Sequence, residues 1–155
     1  MPAFTPSVLQ WSLLGFCNNL DNLKLLTSRC SPSVILLQET NFKPNEFLQL
    51  NRFNIIRKNR LYDHRASGGV AILIKENIQF TTIDLNTDLQ AIAIKIDCSS
   101  ITVCSVYIPN SFNFSLEHLI DLPDQLPAAY IWSRKLISKI NKMFKGKIKG
   151  IRNIN

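Results

Sequence analysis

Glu39 is the first residue of this chain with both the type and the placement to do chemistry. It closes the strand Ser33–Glu39, with its apolar Val-Ile-Leu-Leu, and α/β sheets put their ligand-handling groups where such strands emerge. A carboxylate there can hold a hard divalent cation, or it can be a solvated acid at a strand end; spacing alone leaves both readings open. Arg57, Arg60 and Arg65 flank or lie in the polar stretch Asn59–Ser67. Their planar guanidinium groups match phosphate oxygens, although scattered charge on a solvated loop is an equally good account. His64 has no visible partner and reads as an exposed loop residue. Cys17, Cys30, Cys98 and Cys104 show neither C-x-x-C spacing nor clustered histidines, which argues against a zinc site. All four read as reduced thiols, with Cys98 and Cys104 as small buried hydrophobes in a strand-rich stretch. Gly68 and Gly69 lack the pattern of a phosphate-cradling loop and read as backbone devices.

The elements that position these groups follow from periodicity. Val8–Leu14 reads as a strand, and Asn18 or Asn19 caps a helix with Leu20, Leu23 and Leu26 on one face, ending at Pro32. Ser33–Glu39 is too uniformly apolar to leave one face in water and suits a strand covered on both sides. Strand, helix, strand implies a crossover and an α/β (α+β) architecture. A short turn or helix follows Lys43-Pro44, then a strand over Phe53–Lys58 and a loop over Asn59–Ser67. Strands over Val70–Lys75, Ile78–Ile83, Leu89–Asp97 and Ile101–Ile108, joined by turns, predict a consecutive antiparallel meander and hence a mixed sheet. In Leu89–Asp97, Leu89, Ala91, Ala93 and Lys95 share one face and Ile92, Ile94 and Ile96 the other. Ser115 caps a short helix through Asp121, Pro123 and Pro127 frame a loop, and Ala128–Ile131 begins another strand.

Composition changes at Trp132. Residues 132–155 hold eight basic side chains and no acid, whereas residues 1–131 hold ten basic against eleven acidic, so the overall +7 belongs to the tail. There Leu136, Ile137, Ile140, Met143 and Phe144 fall at helical spacing between lysines, predicting a basic amphipathic helix. With 46% apolar and 19% charged residues the chain is globular in composition. No secretory signal and no bilayer-length apolar run are visible, which predicts an intracellular chain without a transmembrane segment.

Three strings occur in order: Leu37-Gln38-Glu39-Thr40, Ser67-Gly68-Gly69-Val70-Ala71-Ile72-Leu73-Ile74-Lys75 and Ser105-Val106-Tyr107-Ile108-Pro109-Asn110. Together they resemble the endonuclease/exonuclease/phosphatase superfamily, and more narrowly the endonuclease domain of jockey-type non-LTR retrotransposon polyproteins, which also carry an RNA-directed DNA polymerase. Trp11 is similar to a residue of the family's opening strand, and the likeness runs from Val8 to Ile131. The resemblance implies a Mg²⁺-dependent hydrolase that nicks DNA, built as a four-layer αββα sandwich. It places Glu39 on the metal and the Tyr107 hydroxyl near the scissile phosphate, where a phenol can donate to developing charge. Asn110 either contacts the nucleic-acid backbone or shapes a turn.

The chain departs from the family pattern at two places. The family's first strand normally ends in Trp-Asn, whose asparagine helps hold the metal; here Ser12, a shorter oxygen ligand, follows Trp11. The family's Gly-Asp-x-Asn motif is due after Tyr130-Ile131, where this chain reads Trp132-Ser133-Arg134-Lys135. A serine–aspartate pair and a terminal Asp-His have no counterpart, and His64 and His118 lie too early to replace them. Residues 1–131 are thus expected to be the N-terminal part of an endonuclease domain and 132–155 a non-family basic tail, as in a truncated element copy that runs into unrelated sequence. Such a chain is expected to be catalytically incomplete and only marginally stable, with an incomplete sandwich whose exposed sheet face invites self-association. It would be nuclear if functional. The alternative is a non-catalytic module whose basic helix binds nucleic acid, an acidic partner or an anionic membrane.

Overall fold

Val34–Gln38 is buried at every position. Side chains alternate between the faces of a strand, so something must cover it on both sides. The computed structural model describes residues 4–13, 15–43, 46, 49–58, 61–62, 65–66, 68–108, 116–127 and 129–132. In chain order its elements are β1 (Val8–Ser12), α1 (Phe16–Cys30), β2 (Val34–Gln38), β3 (Phe53–Lys58), β4 (Leu61–Tyr62), β5 (Arg65–Ala66), β6 (Val70–Lys75), β7 (Phe80–Ile83), β8 (Gln90–Ile96), β9 (Ile101–Tyr107), α2 (Leu116–Asp124) and β10 (Tyr130–Trp132).

One sheet has the order β1-β2-β6-β3, with β1 parallel to β2 and β6 antiparallel to both β2 and β3. The other has the order β10-β9-β8-β7, antiparallel except for the β10–β9 pair. Ile35, Leu37, Ala71 and Leu73 on the outer face of the first sheet pack with Phe16 and Leu23 of α1. Val34, Leu36, Ile72 and Ile74 on its inner face meet Ile94, Ile96 and Val103 of the second sheet. Leu89, Ala91, Ala93, Cys104 and Val106 lie on the far face of that sheet, together with Leu122 of α2. The layers are therefore α1, sheet, sheet, α2: an αββα sandwich. Each buried Leu or Ile stabilises such a core by about 1.5–3 kcal/mol.

The faces read from the alternation of Leu89–Asp97 are those observed, since Leu89, Ala91 and Ala93 share one cluster and Ile92, Ile94 and Ile96 another. The expected meander holds for β7, β8 and β9, which pair antiparallel in sequence order, but not for β6. β6 leaves its sequence neighbour β7 and inserts between β2 and β3, so the strands from Val70 to Tyr107 divide between two sheets. The sheet face expected to be exposed is consequently buried between the sheets, and self-association through it has no support. Asn59–Ser67 contains a β4–β5 ribbon, with Leu61 opposite Ala66 and Tyr62 opposite Arg65. Pro123 lies inside α2 instead of framing a loop. Cys98 sits in the turn after β8 and is exposed, whereas Cys104 is buried; all four cysteines are free.

Neither Asn18 nor Asn19 caps α1. The helix begins after Gly15, whose φ of 110° suits glycine, and the N–H of its first residue, Phe16, donates to the Thr40 carbonyl. It ends at Ser31 in the left-handed region, whose N–H donates to the Thr27 carbonyl at 3.0 Å; Pro32 follows and cannot continue the helix. No helix among the described residues is long and apolar enough to cross a membrane. The basic helix expected after Trp132 and the Ser115 cap lie outside the described residues.

Candidate active site at the polar end of the sandwich

The seam between the sheets changes character along its length. Val34 and Leu36 give way to Gln38 on the same face of β2, and Val103 gives way to Ser105 and Tyr107 on β9. On β1, Gln10 and Ser12 stand opposite Leu36 and Gln38 in the parallel register. Gln38 and Ser105 are fully buried, so their polar atoms need partners. The Gln38 Nε2 donates to Ser105 Oγ at 3.0 Å, Ser105 Oγ donates to the Leu37 carbonyl at 3.2 Å, and Gln10 Nε2 donates to Gln38 Oε1 at 3.1 Å. A continuous polar thread thus crosses from β1 through β2 to β9.

Glu39 follows directly, in a turn that is unusual for its residue types. Glu39 and Asn41 have φ of 55° and 52°, a left-handed conformation that costs L-residues energy and recurs at functional sites. The turn is held from two sides. The carbonyls of Gln38, Glu39 and Thr40 accept from the N–H groups of Leu13, Gly15 and Phe16 at 3.0, 2.9 and 2.9 Å, which is how the start of α1 is satisfied. On the other side, the N–H of Asn41 donates to the Gly68 carbonyl at 2.8 Å, and the Gly68 N–H donates to Asn41 Oδ1 at 2.8 Å. The half-buried Glu39 carboxylate accepts a hydrogen bond from Ser12 Oγ at 3.1 Å.

That pair bears on metal binding. Adjacent oxygens in an octahedron of about 2.1 Å metal–oxygen bonds lie roughly 3 Å apart, so a carboxylate and a hydroxyl oxygen at 3.1 Å suit a hard cation in both chemistry and spacing. Among the described residues no group of three or more His, Cys, Asp or Glu side chains converges; Glu39 and Ser12 would offer a cation two oxygens.

Tyr107 reaches the same end through the glycine pair. A Cβ built on Gly68 would meet Tyr107 Cε1 at 3.2 Å and Gln90 Oε1 at 2.9 Å, so the tyrosine ring and Gln90 lie against a backbone that only glycine can supply. Gly68 and Gly69 have φ of 75° and 87°. The Gly69 N–H donates to Gln90 Oε1, and the Gly69 carbonyl accepts from Thr40 N–H at 3.5 Å. All four polar backbone atoms of the pair are engaged within the protein, which agrees with a backbone device and not a phosphate cradle.

The structure therefore gathers Glu39, Ser12 and Tyr107 at one end of the sandwich. Arg57 is placed on the outer face of the first sheet: its Nη2 donates to the Glu46 carbonyl at 2.7 Å, and its guanidinium lies 4.7 Å from the centre of the Phe42 ring. Phe42 in turn packs on Phe16 with ring centres 4.9 Å apart. Glu46 accepts from the Lys43 N–H at 3.0 Å and from the Cys17 thiol at 3.2 Å. The first of these bonds, then the second, hold its carboxyl below its ordinary value, while desolvation and then Glu46 push the Cys17 thiol up. Arg65 is described only as backbone in β5, and Arg60, His64 and Asn110 lie outside the described residues. Sequence reasoning missed Gln10, Gln38, Asn41, Gln90 and Ser105. The available signal was a polar residue inside or at the end of an otherwise apolar strand, as in Gln38 and Ser105.

No family model and no curated protein sequence matches the chain. Solved structures do. An AP endonuclease from Archaeoglobus fulgidus superposes with a TM-score of 0.64 at 15% identity, over 83% of this chain and 56% of that one. The 3′ phosphatase NExo from Neisseria, solved with a product DNA hairpin, gives 0.51 at 20% identity over 66% and 41%. NExo from Neisseria meningitidis, described as a 3′-5′ exonuclease, gives 0.50 at 19% identity over 77% and 48%. The fold is that of the endonuclease/exonuclease/phosphatase proteins. At these identities the likeness is one of fold, and the chain spans about half the length of the structures it matches. Within that fold the strands carrying Glu39 and Tyr107 belong to different sheets, so the site lies where the two sheets end together.

Proposed function

We propose that this chain carries the metal-anchoring side of a nucleic-acid phosphodiester hydrolase, of the kind with which jockey-type non-LTR retrotransposons nick DNA. The observation that carries the reading is the Ser12–Glu39 pair, two hard oxygens 3.1 Å apart on neighbouring strand ends, on the same end of the sandwich as Tyr107. The run from Ser67 to Lys75, with its glycine pair entering a strand that is apolar from Val70 to Ile74, supports the retrotransposon branch. Residues 1–131 form the nuclease-like unit and 132–155 a basic tail that starts at Trp132, the last residue of β10.

Glu39 and Ser12 would hold Mg²⁺, which supplies charge neutralisation at a phosphate and at the leaving oxygen when bound. Ser12 keeps its own proton, donates it in a hydrogen bond to Glu39 Oε1 and so orients the carboxylate. The Tyr107 phenol donates a hydrogen bond to a phosphate oxygen and retains its proton. The Gln38–Ser105 and Gln90–Gly69 contacts keep the two groups in fixed relation, the kind of pre-organisation from which positional catalysis draws its rate. The 155 residues contain no Gly-Asp-x-Asn string, and groups acting as a unit are strongly non-additive; nicking by this chain alone is expected to be feeble.

The test uses the full chain and Mn²⁺ as a paramagnetic surrogate, with free ion measured by electron paramagnetic resonance. One site is expected, weakened about tenfold or more by Glu39→Gln, as for other metal sites that lose a supporting group. Binding indifferent to Glu39→Gln would sink the metal reading. Vigorous Mg²⁺-dependent plasmid nicking abolished by Glu39→Gln would preserve the site and overturn the view that the chain is catalytically incomplete.

A further inference from the structure

Glu39 and Tyr107 stand on different sheets, and apolar packing between sheets is non-directional; their relative placement must come from directional contacts at this end. Several such contacts cross the seam here: Lys58 Nζ donates to the Leu89 carbonyl at 3.0 Å and Ser105 Oγ to the Leu37 carbonyl at 3.2 Å, and two more adjoin the residues at issue. One is the Gln38–Ser105 bond. The other is made by Gln90, the first residue of β8, which is buried and pairs across the β8–β9 ladder with Tyr107. Its Oε1 accepts the Gly69 N–H, and its carboxamide would crowd any side chain at Gly68. The glycine pair is in turn bonded to Asn41 and Thr40 of the Glu39 turn. Gln90 thus touches the backbone that holds one functional residue while standing beside the other.

We propose that Gln90 is a positioning residue, which fixes the Gly68–Gly69 backbone to the second sheet and thereby sets the place of the Glu39 turn relative to Tyr107. The proposal rests on the reading of Glu39 and Tyr107 as one site. A buried glutamine at the start of a strand demands a satisfied carboxamide, and here that demand is met by the backbone that carries the turn. Leucine could fill the same volume but could not specify the distance, because a hydrogen bond is directional and dispersion is not.

The experiment labels the full chain with 3-fluorotyrosine, assigns Tyr107 by Tyr107→Phe, and adds Mn²⁺. Fluorine relaxation at Tyr107 then reports the distance from ion to ring. In Gln90→Leu we expect Mn²⁺ still to bind, the Tyr107 relaxation to change by about twofold, as for a displacement of roughly 1 Å at such range, and the Gly69 amide to exchange about tenfold faster. Gln90→Glu, which keeps an acceptor in reach of Gly69, should restore both. Should Gln90→Leu fail to fold, Gln90→Asn, one methylene shorter, is expected to give the same changes. Unaltered Tyr107 relaxation and Gly69 exchange in the folded variant overturn the proposal. If Mn²⁺ does not bind the unsubstituted chain, the Glu39 reading fails; faster Gly69 exchange with a moved Tyr107 fluorine shift then still supports the placing role of Gln90, and their constancy refutes it.

Discussion

Gly68→Ala is expected to destabilise the chain severely for two separable reasons. The backbone there has φ of +75°, and placing an L-residue in the left-handed region costs about 1–2 kcal/mol. The added Cβ would also lie 2.9 Å from Gln90 Oε1 and 3.2 Å from Tyr107 Cε1. Gln90 cannot simply retreat, because the same oxygen accepts the Gly69 N–H. Forcing a methyl group into so closed a place adds about 1–3 kcal/mol, for a total of about 2–5 kcal/mol. With a urea m-value of about 2 kcal/mol/M, the unfolding midpoint should fall by about 1–2.5 M while m stays constant. Repeating the substitution in a Gln90→Ala background separates the two causes. There the oxygen is gone, and the cost should shrink towards the backbone contribution, leaving a coupling of about 1 kcal/mol or more. A cost below about 1 kcal/mol, or one identical in both backgrounds, would refute the close approach of Gly68 to Gln90.

Ser105→Ala should cost about 1–3 kcal/mol, because it strands the buried Gln38 carboxamide N–H and removes the bond from the Ser105 hydroxyl to the Leu37 carbonyl. Adding Gln38→Leu should recover part of that loss in urea unfolding, since an apolar pair leaves no orphan; no recovery would show that the thread is not the cause. Burial pushes the Cys104 thiol up to about 12, so native alkylation at mildly alkaline pH, followed by mass spectrometry, should modify exposed Cys30 and Cys98 and leave Cys104 until the chain is denatured. Cys17 should react more slowly than an ordinary thiol, because desolvation and the Glu46 carboxylate disfavour its thiolate; labelling of native Cys104 at the rate of Cys98 would contradict this burial.

Much of the architecture is legible along the chain. The apolar run Val34–Leu37 announces a strand buried on both faces, and the alternation from Leu89 to Asp97 announces which side chains share a face, as found. Strands over Phe53–Lys58 and Val70–Lys75 have the predicted bounds. Partner choice is not legible. The turn at Asn77 joins β6 to β7 in sequence, yet β6 pairs with β2 and β3, because its inner-face Ile72 and Ile74 are buried against the second sheet while Ala71 and Leu73 face α1. Periodicity reports which side chains want burial, not which strand will supply it. The helix cap fails for a related reason: Asn19 spends its amide on the carbonyls of Leu13 and Gly15, and the N–H groups of Gly15 and Phe16 are met by the turn at Glu39 from a distant part of the chain.

For the site, residue type and position along an apolar strand raise Glu39 as a candidate while leaving a solvated acid open, and Tyr107 enters only through the resemblance of the ordered strings. Sequence carries no distances between segments that are remote along the chain. The 3.1 Å approach of Ser12 to Glu39, the seating of Tyr107 against Gly68 and the glutamine contacts that bridge the seam exist only once two sheets have closed on each other. Burial of the apolar inner faces drives that closure, and directional hydrogen bonds tie the two sheets together at its polar end.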